Sequence, residues 1–428
     1  MKLLISAYAC EPGRGSEAGV GWNCVLQAAR FHDVWVLTRK NNRGPIEAAL
    51  ETAALDNVHF AYFDLPPWSR FWKRGTRGLH LYYYLWQIGA YLLARGLHRR
   101  VSFDLTHHVT FVNYWLPSLV PLLPVPFLWG PVGGGESAPA AFEEFRNPKH
   151  RLYEALRDAA RSRCRIDPFV VFSAKRAALA LATTEATKEK LRSLGCDRVV
   201  VASEAALSEA EISTLAALPA SSNSDFRLLS VGRLLHWKGF ALAIRAFGEF
   251  QRSFPDSEYW IAGDGPERES LAQLAAELGL RSQVKFLGLL PRDEVLGKLA
   301  QCHALAHPSL HDSGGWVCLE AMAAGRPVVC LDVGGPALQV TAETGIKVAA
   351  IEPRQTVRDL SSAFARLAGN PSLRARLGQA GRQRVKQHFC WERKGEFYRE
   401  ISEAIVEGRP QARFSSGVLP GQAVRNAG

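Results

Sequence analysis

Apolar residues along this chain bunch into runs of four to seven, separated by loops rich in Gly, Pro and Ser. The first run, LLISAYA, reads as a buried strand over residues 3–8, because a short continuous apolar run fits a strand covered on both faces. A Gly-rich loop, EPGRGSEAGVG, follows it. The helical pattern WNCVLQAARF and a second apolar run, VWVLTR, come next. This strand–loop–helix–strand alternation predicts a parallel, doubly wound sheet. VHFAYF, LTHHVTF and VPFLWG add further runs, and DPFVVFS and ALALATT follow a basic stretch at 146–165. The Ser/Ala-rich segment LAALPASSNSD at 215–225 reads as part of a linker over 206–225.

A second alternating series then begins. FRLLSVGRL, YWIAGDG, VKFLG, ALAHPS and PVVCLD predict strands. ALAIRAFGEFQRSF, ESLAQLAAELG, DEVLGKLAQC and CLEAMAAG predict the helices between them, at the spacing that parallel crossovers require. Two late helical stretches, LRARLGQAGRQRVKQHF and ERKGEFYREISEAIVEG, close the pattern, and the aperiodic tail 409–428 is expected to be disordered. The expectation is therefore an α/β chain of two Rossmann-like domains facing each other across a cleft, at 1–205 and 226–388. A helix over 389–408 is expected to cross back to the first. A length of 428 residues agrees, being too long for one ordinary core.

Charge adds a bias to this picture. The formal net charge is +11, and residues 1–205 hold 26 Lys+Arg against 18 Asp+Glu, or +8 of it. An anionic partner for the first half is one reading; solubility alone is the other. Eight cysteines are scattered without a CxxC pair or zinc-ligand spacing, which predicts reduced core thiols and a cytoplasmic location. MKLLISAYAC resembles a short lipoprotein signal, but its apolar core is too brief.

Four clusters fall where strands are expected to end, the ligand-binding edge of such sheets. The loop Gly13–Gly21, with Gly15, Ser16 and Gly19, can bring backbone N–H groups to a phosphate or sugar oxygen; a tight turn is the competing reading. Arg233 and Lys238 in SVGRLLHWKG can clamp a diphosphate. In HPSLHDSGGWVCLEAMAAGRPVV, Glu320 can take the two hydroxyls of a ribose, while the loop amides of Ser313, Gly314 and Gly315 face phosphate or sugar. The pair His107–His108 places its rings on opposite sides of a strand, one toward the cleft and one into a packing layer; core histidines are the alternative.

Taken together, VGRLLHWKGFALAIRAF, WIAGDGPERESL, VKFLGLLPRDEV and HPSLHDSGGWVCLEAMAAGRPVV, with YACEPGRGSEAGVGW, HHVTF and FLWGPVGGGE, resemble the retaining family 4 glycosyltransferases of GT-B architecture. A subgroup that assembles surface polysaccharides is the nearest in pattern. The resemblance implies transfer of a sugar from a UDP- or GDP-sugar to a saccharide or lipid-linked acceptor, with no metal and no bound cofactor. It implies that Arg233 and Lys238 bind the donor diphosphate, Glu320 the ribose and Asp312 the donor sugar. The loop Gly15–Gly19 would face the diphosphate and acceptor, and His107 or His108 the reacting sugar. Gly263, Leu287 and Leu319 join the implied donor contacts, with the base read by backbone near Phe286–Leu289. Two positions depart from the family: Asp312 stands where Glu is usual, and Gly314 where an aromatic is usual. A catalytically impaired scaffold, or an epimerase or phosphorylase on the same fold, is the rival reading.

Residues 66–103 hold seven Arg/Lys, no acid and many aromatics. The apolar run 79–94 is short for a bilayer span. On a helix, His80, Tyr84, Gln87, Tyr91 and Arg95 form one stripe, leaving a Leu/Tyr/Trp face for core or lipid. Contact with an anionic membrane surface is the expected partner interaction. No nucleic-acid module is visible.

Overall fold

The computed structural model describes residues 1–53, 55–73, 75, 77–142, 157–159, 161–221 and 225–409. They form two compact units. The first comprises 1–135, 157–204 and the chain from 391; the second comprises 136–156 and 205–390.

In the first unit, β1 (Lys2–Ala7), α1 (Ser16–Ala29), β2 (Asp33–Arg39), α2 (Arg43–Leu50), β3 (Val58–Phe63) and α3 (Leu79–Val101) lead to β4 (Leu105–Thr110) and β5 (Phe127–Val132). Then come α4 (Pro168–Arg176), β6 (Leu179–Ala182), α5 (Glu185–Ser193) and β7 (Val199–Val201). The strands order as β3-β2-β1-β4-β5-β6-β7, with the pairings parallel throughout. The direction of winding reverses between β1 and β4. β4 and β5 are buried at every position, which is why they read as unbroken apolar runs. The apolar run DPFVVFS is a helix rather than a strand. Asp167 caps it by accepting from the N–H groups of Phe169 and Val170, and Pro168 supplies the fixed φ of a first helical residue.

The second unit opens with α6 (Glu209–Ala216). β8 (Arg227–Val231), α7 (Phe240–Gln251), β9 (Glu258–Ala262), α8 (Arg268–Glu277), β10 (Val284–Gly288) and α9 (Arg292–Gln301) come next. β11 (Ala304–His307), α10 (Trp316–Ala323), β12 (Val328–Leu331), α11 (Gly334–Gln339), β13 (Gly345–Val348), α12 (Pro353–Ala368) and α13 (Pro371–His388) complete it. Its parallel sheet orders as β10-β9-β8-β11-β12-β13, so the switch point lies between β8 and β11. Helix α14 (Trp391–Val406) belongs to the first unit and packs on α1.

The structure corrects the expected linker over 206–225. Residues 209–216 are helical, closed by a full capping box in which Ser208 and Glu211 satisfy each other's backbone N–H. Ile212 and Leu215 bury against the core of the second unit. Small Ala and Ser residues suggested a flexible stretch, but Ala is the strongest helix former. The tail from 410 lies outside the described residues.

Helix α3 also turns differently from expectation. Gln87 is buried, not part of an exposed polar stripe, and its side-chain oxygen accepts from Leu119 N at 3.2 Å. Tyr82, Tyr83 and Trp86 claim the interior because they hide the most apolar area. The face left outward carries Leu81, Ile88, Leu92, Arg95 and Arg99. These positions fall within one narrow arc at 100° per residue. All eight cysteines are unpaired and buried.

Candidate active site

The C-terminal edge of the second sheet gathers four loops. Gly232, Arg233 and the 3-10 turn His236–Lys238 follow β8; Gly263 follows β9; residues 308–315 follow β11; and Gly334 and Gly335 follow β12. They pack closely enough to demand glycine. A Cβ at Gly263, where φ is +138°, would meet the carbonyl oxygen of Gly232 at 2.0 Å. One at Gly239, φ +69°, would meet that of Pro308 at 1.9 Å. No L side chain fits either position.

Lys238 lies at the end of the 3-10 turn and forms an ion pair with Asp312. Leu310 N donates to Trp237 O at 2.8 Å, and the Trp237 and His311 rings stack 5.3 Å apart, so the two loops are fixed to each other. Asp312 is saturated. Its Oδ2 takes Lys238 Nζ and His307 Nε2 (3.1 Å), and its Oδ1 takes the backbone N–H groups of Gly314 (3.2 Å) and Gly315 (3.3 Å). Burial alone would raise its pKa, but the His307 hydrogen bond and the Lys238 charge hold it well below the usual carboxylate range.

This geometry corrects two expectations. The amides of Gly314 and Gly315 are turned onto the protein's own carboxylate rather than outward. Asp312 folds back on the loop just before α10 instead of projecting from it. The shorter Asp side chain explains both, because it reaches its own i+2 and i+3 amides, as Asp does at turns and caps. The loop is further held by Gln339, whose Nε2 donates to Gly314 O.

Arg233 is exposed and makes no ion pair among the described residues. Glu320, mostly buried on α10, accepts from Arg292 Nη1 at 2.6 Å. Arg292 reaches Glu211 at 3.4 Å with its other nitrogen. Burial raises the Glu320 pKa and the Arg292 charge opposes it, with the net direction upward. Glu211 comes from the segment read as a linker, and Arg292 from a helix start with no motif signal, so sequence reasoning missed both. Leu287 is half-buried and Ser313 half-exposed beside this edge. Leu319, expected among the donor contacts, has its side chain fully buried in the core of the second unit.

In the first unit, the Gly-rich loop leaves Gly15 exposed, with open space where a Cβ would stand, and Ser16 exposed with φ +62°. Gly19 has a packing role instead, since its Cβ would strike Arg14 O at 2.1 Å. Glu17 points inward and accepts from Phe111 N at the end of β4; burial, the larger effect, raises its pKa. Arg39 donates to Tyr8 O at 3.0 Å and lies 4.1 Å over the Tyr8 ring.

The histidine pair sits in mid-strand, not at a strand end, because β4 runs on to Thr110. Both rings are buried, and neither looks out of the unit. His107 Nε2 contacts Gly130 O at 2.7 Å and packs edge-on against Tyr398. His108 lies between Ser6 Oγ (3.1 Å) and Tyr83 OH (3.0 Å). Desolvation pushes both pKa values down, to about 4 and about 3, so both are neutral at pH 7. The opposite-face geometry holds, but each side is a packing layer.

Residues 217–384 match the family described as Glycosyl transferases group 1. The second unit carries a group 1 glycosyltransferase domain. The lipopolysaccharide core biosynthesis glycosyltransferase LpsD of Rhizobium meliloti is 33% identical over 184 residues, 43% of this chain and 51% of that protein. The 2-deoxystreptamine glucosyltransferase of Streptomyces kanamyceticus is 34% identical over 159 residues, 37% of this chain and 40% of that protein. The chain thus spans about half the length of the curated relatives it matches, or less. Among solved structures, sucrose-phosphate synthase from Thermosynechococcus elongatus gives a TM-score of 0.63 at 20% identity, covering 94% of this chain and 99% of that one. WaaG, a glycosyltransferase involved in lipopolysaccharide biosynthesis, gives 0.57 at 18%, covering 93% and 99%. The group 1 domain and the sheet that precedes it therefore have the GT-B fold.

Proposed function

We propose that the chain is a retaining, metal-independent glycosyltransferase that takes its sugar from a UDP- or GDP-sugar. The observation that carries this reading is the switch-point edge of the group 1 domain. There Arg233 makes no ion pair among the described residues, Lys238 is fixed in place, and Glu320 stands mostly buried one helix away. Arg233 and Lys238 bind the diphosphate and neutralise the charge that grows as it leaves. Glu320 accepts the ribose hydroxyls once Arg292 gives way or shares it. Positive charge at the start of α10, whose N-cap Gly315 has no side-chain cap, adds to the anion site. The oxocarbenium-like sugar is then captured by an acceptor hydroxyl on the face the diphosphate has left. His107 and His108 take no proton in this scheme; they hold β4 in register beside its neighbours. Loss of Lys238 removes one charge-stabilising contact, so Lys238→Ala is expected to lower turnover ~100-fold. Near-normal turnover in that variant refutes the assignment.

The acceptor belongs to surface polysaccharide or lipopolysaccharide assembly in this proposal, and the first unit docks at an anionic membrane surface. The support is the outward face of α3, where Leu81, Ile88 and Leu92 are exposed, with Arg95 and Arg99 on the same arc. Trp68 and Phe71, each nearly four-fifths exposed, precede it. No described helix is long and apolar enough to cross a membrane. Each basic residue near such a surface contributes about 1 kcal/mol. Sedimentation with phosphatidylglycerol vesicles at low salt tests this. Binding lost in Leu81→Ser/Leu92→Ser supports it, and no binding by the unaltered protein overturns it.

A further inference from the structure

A second concave site lies elsewhere on the group 1 domain. The last two turns of α7, the start of α12 and the loop after α8 enclose a cavity of about 570 Å³ open on one side. That volume is in the range of small-molecule sites. Four arginines line it, Arg245, Arg252, Arg354 and Arg358, against one acidic residue, Glu249. Among the described residues Arg245, Arg252 and Arg354 form no ion pair, and Arg358 donates only to the neutral amide oxygen of Gln355 at 2.6 Å. The Glu352 carboxylate at the start of α12 lies close enough to feel the charges of Arg354 and Arg358. The four arginines border one hollow, from two helices that pack along each other. The floor is apolar: Leu280 is buried, Val357 is buried, and Leu278 lies partly exposed at the rim.

We propose that this cavity binds a phosphorylated small molecule of sugar-phosphate or mononucleotide size. Planar guanidinium forks match phosphate oxygens two at a time, which a lysine patch does not. The Leu280–Val357 floor takes the less polar body of the same ligand. The site is separate from the diphosphate clamp, because α7 carries Lys238 and Gly239 just before its first turn and the cavity on its last two. At 1.5 Å per residue, 12 residues set these ends roughly 18 Å apart. A ligand in the cavity therefore grips the helix whose other end follows Lys238.

The test is titration calorimetry of the full-length protein with glucose 6-phosphate, adenosine 5′-monophosphate and inorganic phosphate. It is run in an Arg233→Ala/Lys238→Ala background, so that the clamp does not contribute. The expected result is binding of an organic phosphate that persists there and weakens at least about tenfold for each arginine removed in Arg245→Gln and Arg354→Gln. Gly248→Leu provides a variant that fills the cavity without removing charge. Its Cβ meets only the flexible tips of Leu280, at 3.2 Å, and Leu278, at 3.8 Å, and leucine favours the helix more than glycine does. It should also abolish binding while keeping the melting temperature. Loss of all binding in the Arg233→Ala/Lys238→Ala background overturns the proposal. So does binding unaffected by Arg245→Gln and Gly248→Leu. Inorganic phosphate binding as tightly as the organic probes leaves an unspecific anion site and also overturns it.

Discussion

Replacing Asp312 by Asn changes one atom and reverses its meaning to two neighbours. Oδ1 still receives Gly314 N and Gly315 N, but an NH₂ group now faces Lys238 Nζ and His307 Nε2. His307 can change tautomer and accept; Lys238 cannot. Removing one partner of a fully buried ion pair costs about 3–5 kcal/mol. The Lys238 side chain is 22% exposed, so solvent screens part of this and ~2 kcal/mol is the working figure. At roughly 2–4 °C per kcal/mol for a domain of this size, the second unit should melt about 4–8 °C lower at pH 7. The acid limb carries a sharper signature. Asp312 has a depressed folded pKa, while the unfolded chain titrates near 3.9. Its stabilisation is present above the unfolded value and is lost as pH falls below it. Scanning calorimetry of both proteins from pH 7 to pH 3 should therefore show the two melting curves converging as pH drops below about 4. Parallel curves, or an unchanged melting temperature at pH 7, refute the view that Asp312 is a charged anchor.

Glu320→Ala should abolish the thermal upshift produced by the nucleoside diphosphate that stabilises the unaltered protein, as binding to the native state alone requires; an equal upshift in the variant refutes the ribose role. Arg292→Ala removes the charge that opposes burial, so Glu320 should protonate at higher pH, and nucleotide affinity should fade as pH is lowered from 7 to 5 more steeply than in the unaltered protein, read by calorimetry. Lys394, fully buried, donates to the carbonyls of Ser203 (2.6 Å) and Glu204 (3.1 Å), and burial lowers its pKa to about 8. Between that value and the unfolded value near 10.4 the unfolded chain holds more protons. The unaltered protein should therefore gain stability relative to Lys394→Met from pH 8 to pH 10 in paired melts. Burial pushes the thiols of Cys24, Cys302 and Cys330 up to about 12, so iodoacetamide at pH 8 should label them only on unfolding, as mass spectrometry would show.

The sequence legible to periodicity was the parallel sheet, since buried strands such as β4, β5 and β11 leave unbroken apolar runs. The placement of Arg233 and Lys238 was legible too, because they sit between glycines that only a crowded strand end requires. Harder to see was anything decided by competition for the interior. Gln87 occupies the core because Tyr82, Tyr83 and Trp86 fix the rotation of α3, and no local pattern ranks an aromatic face against an aliphatic one. The segment 206–225 hid a helix because its capping box spans only Ser208–Glu211 amid small residues. Asp312 looked like a ligand group in a glycine loop, and only distances reveal that four donors already use it. The histidines misled through position: β4 runs on to Thr110, which puts them in the middle of the strand and not at its edge.

The second unit from residue 205 onward is one uninterrupted stretch whose two ends are stitched together, Leu207 N donating to Phe389 O at 2.9 Å. The first unit is not: α14, made last, covers α1, made first, and brings Lys394 and Tyr398 into its buried interior. During synthesis the ribosome thus delivers every strand of the first sheet early, but withholds the helix that seals it until the whole second unit has emerged. The N-terminal sheet must wait with the α1 face uncovered for nearly two hundred residues. Expression of residues 1–204 alone would make that interim state permanent.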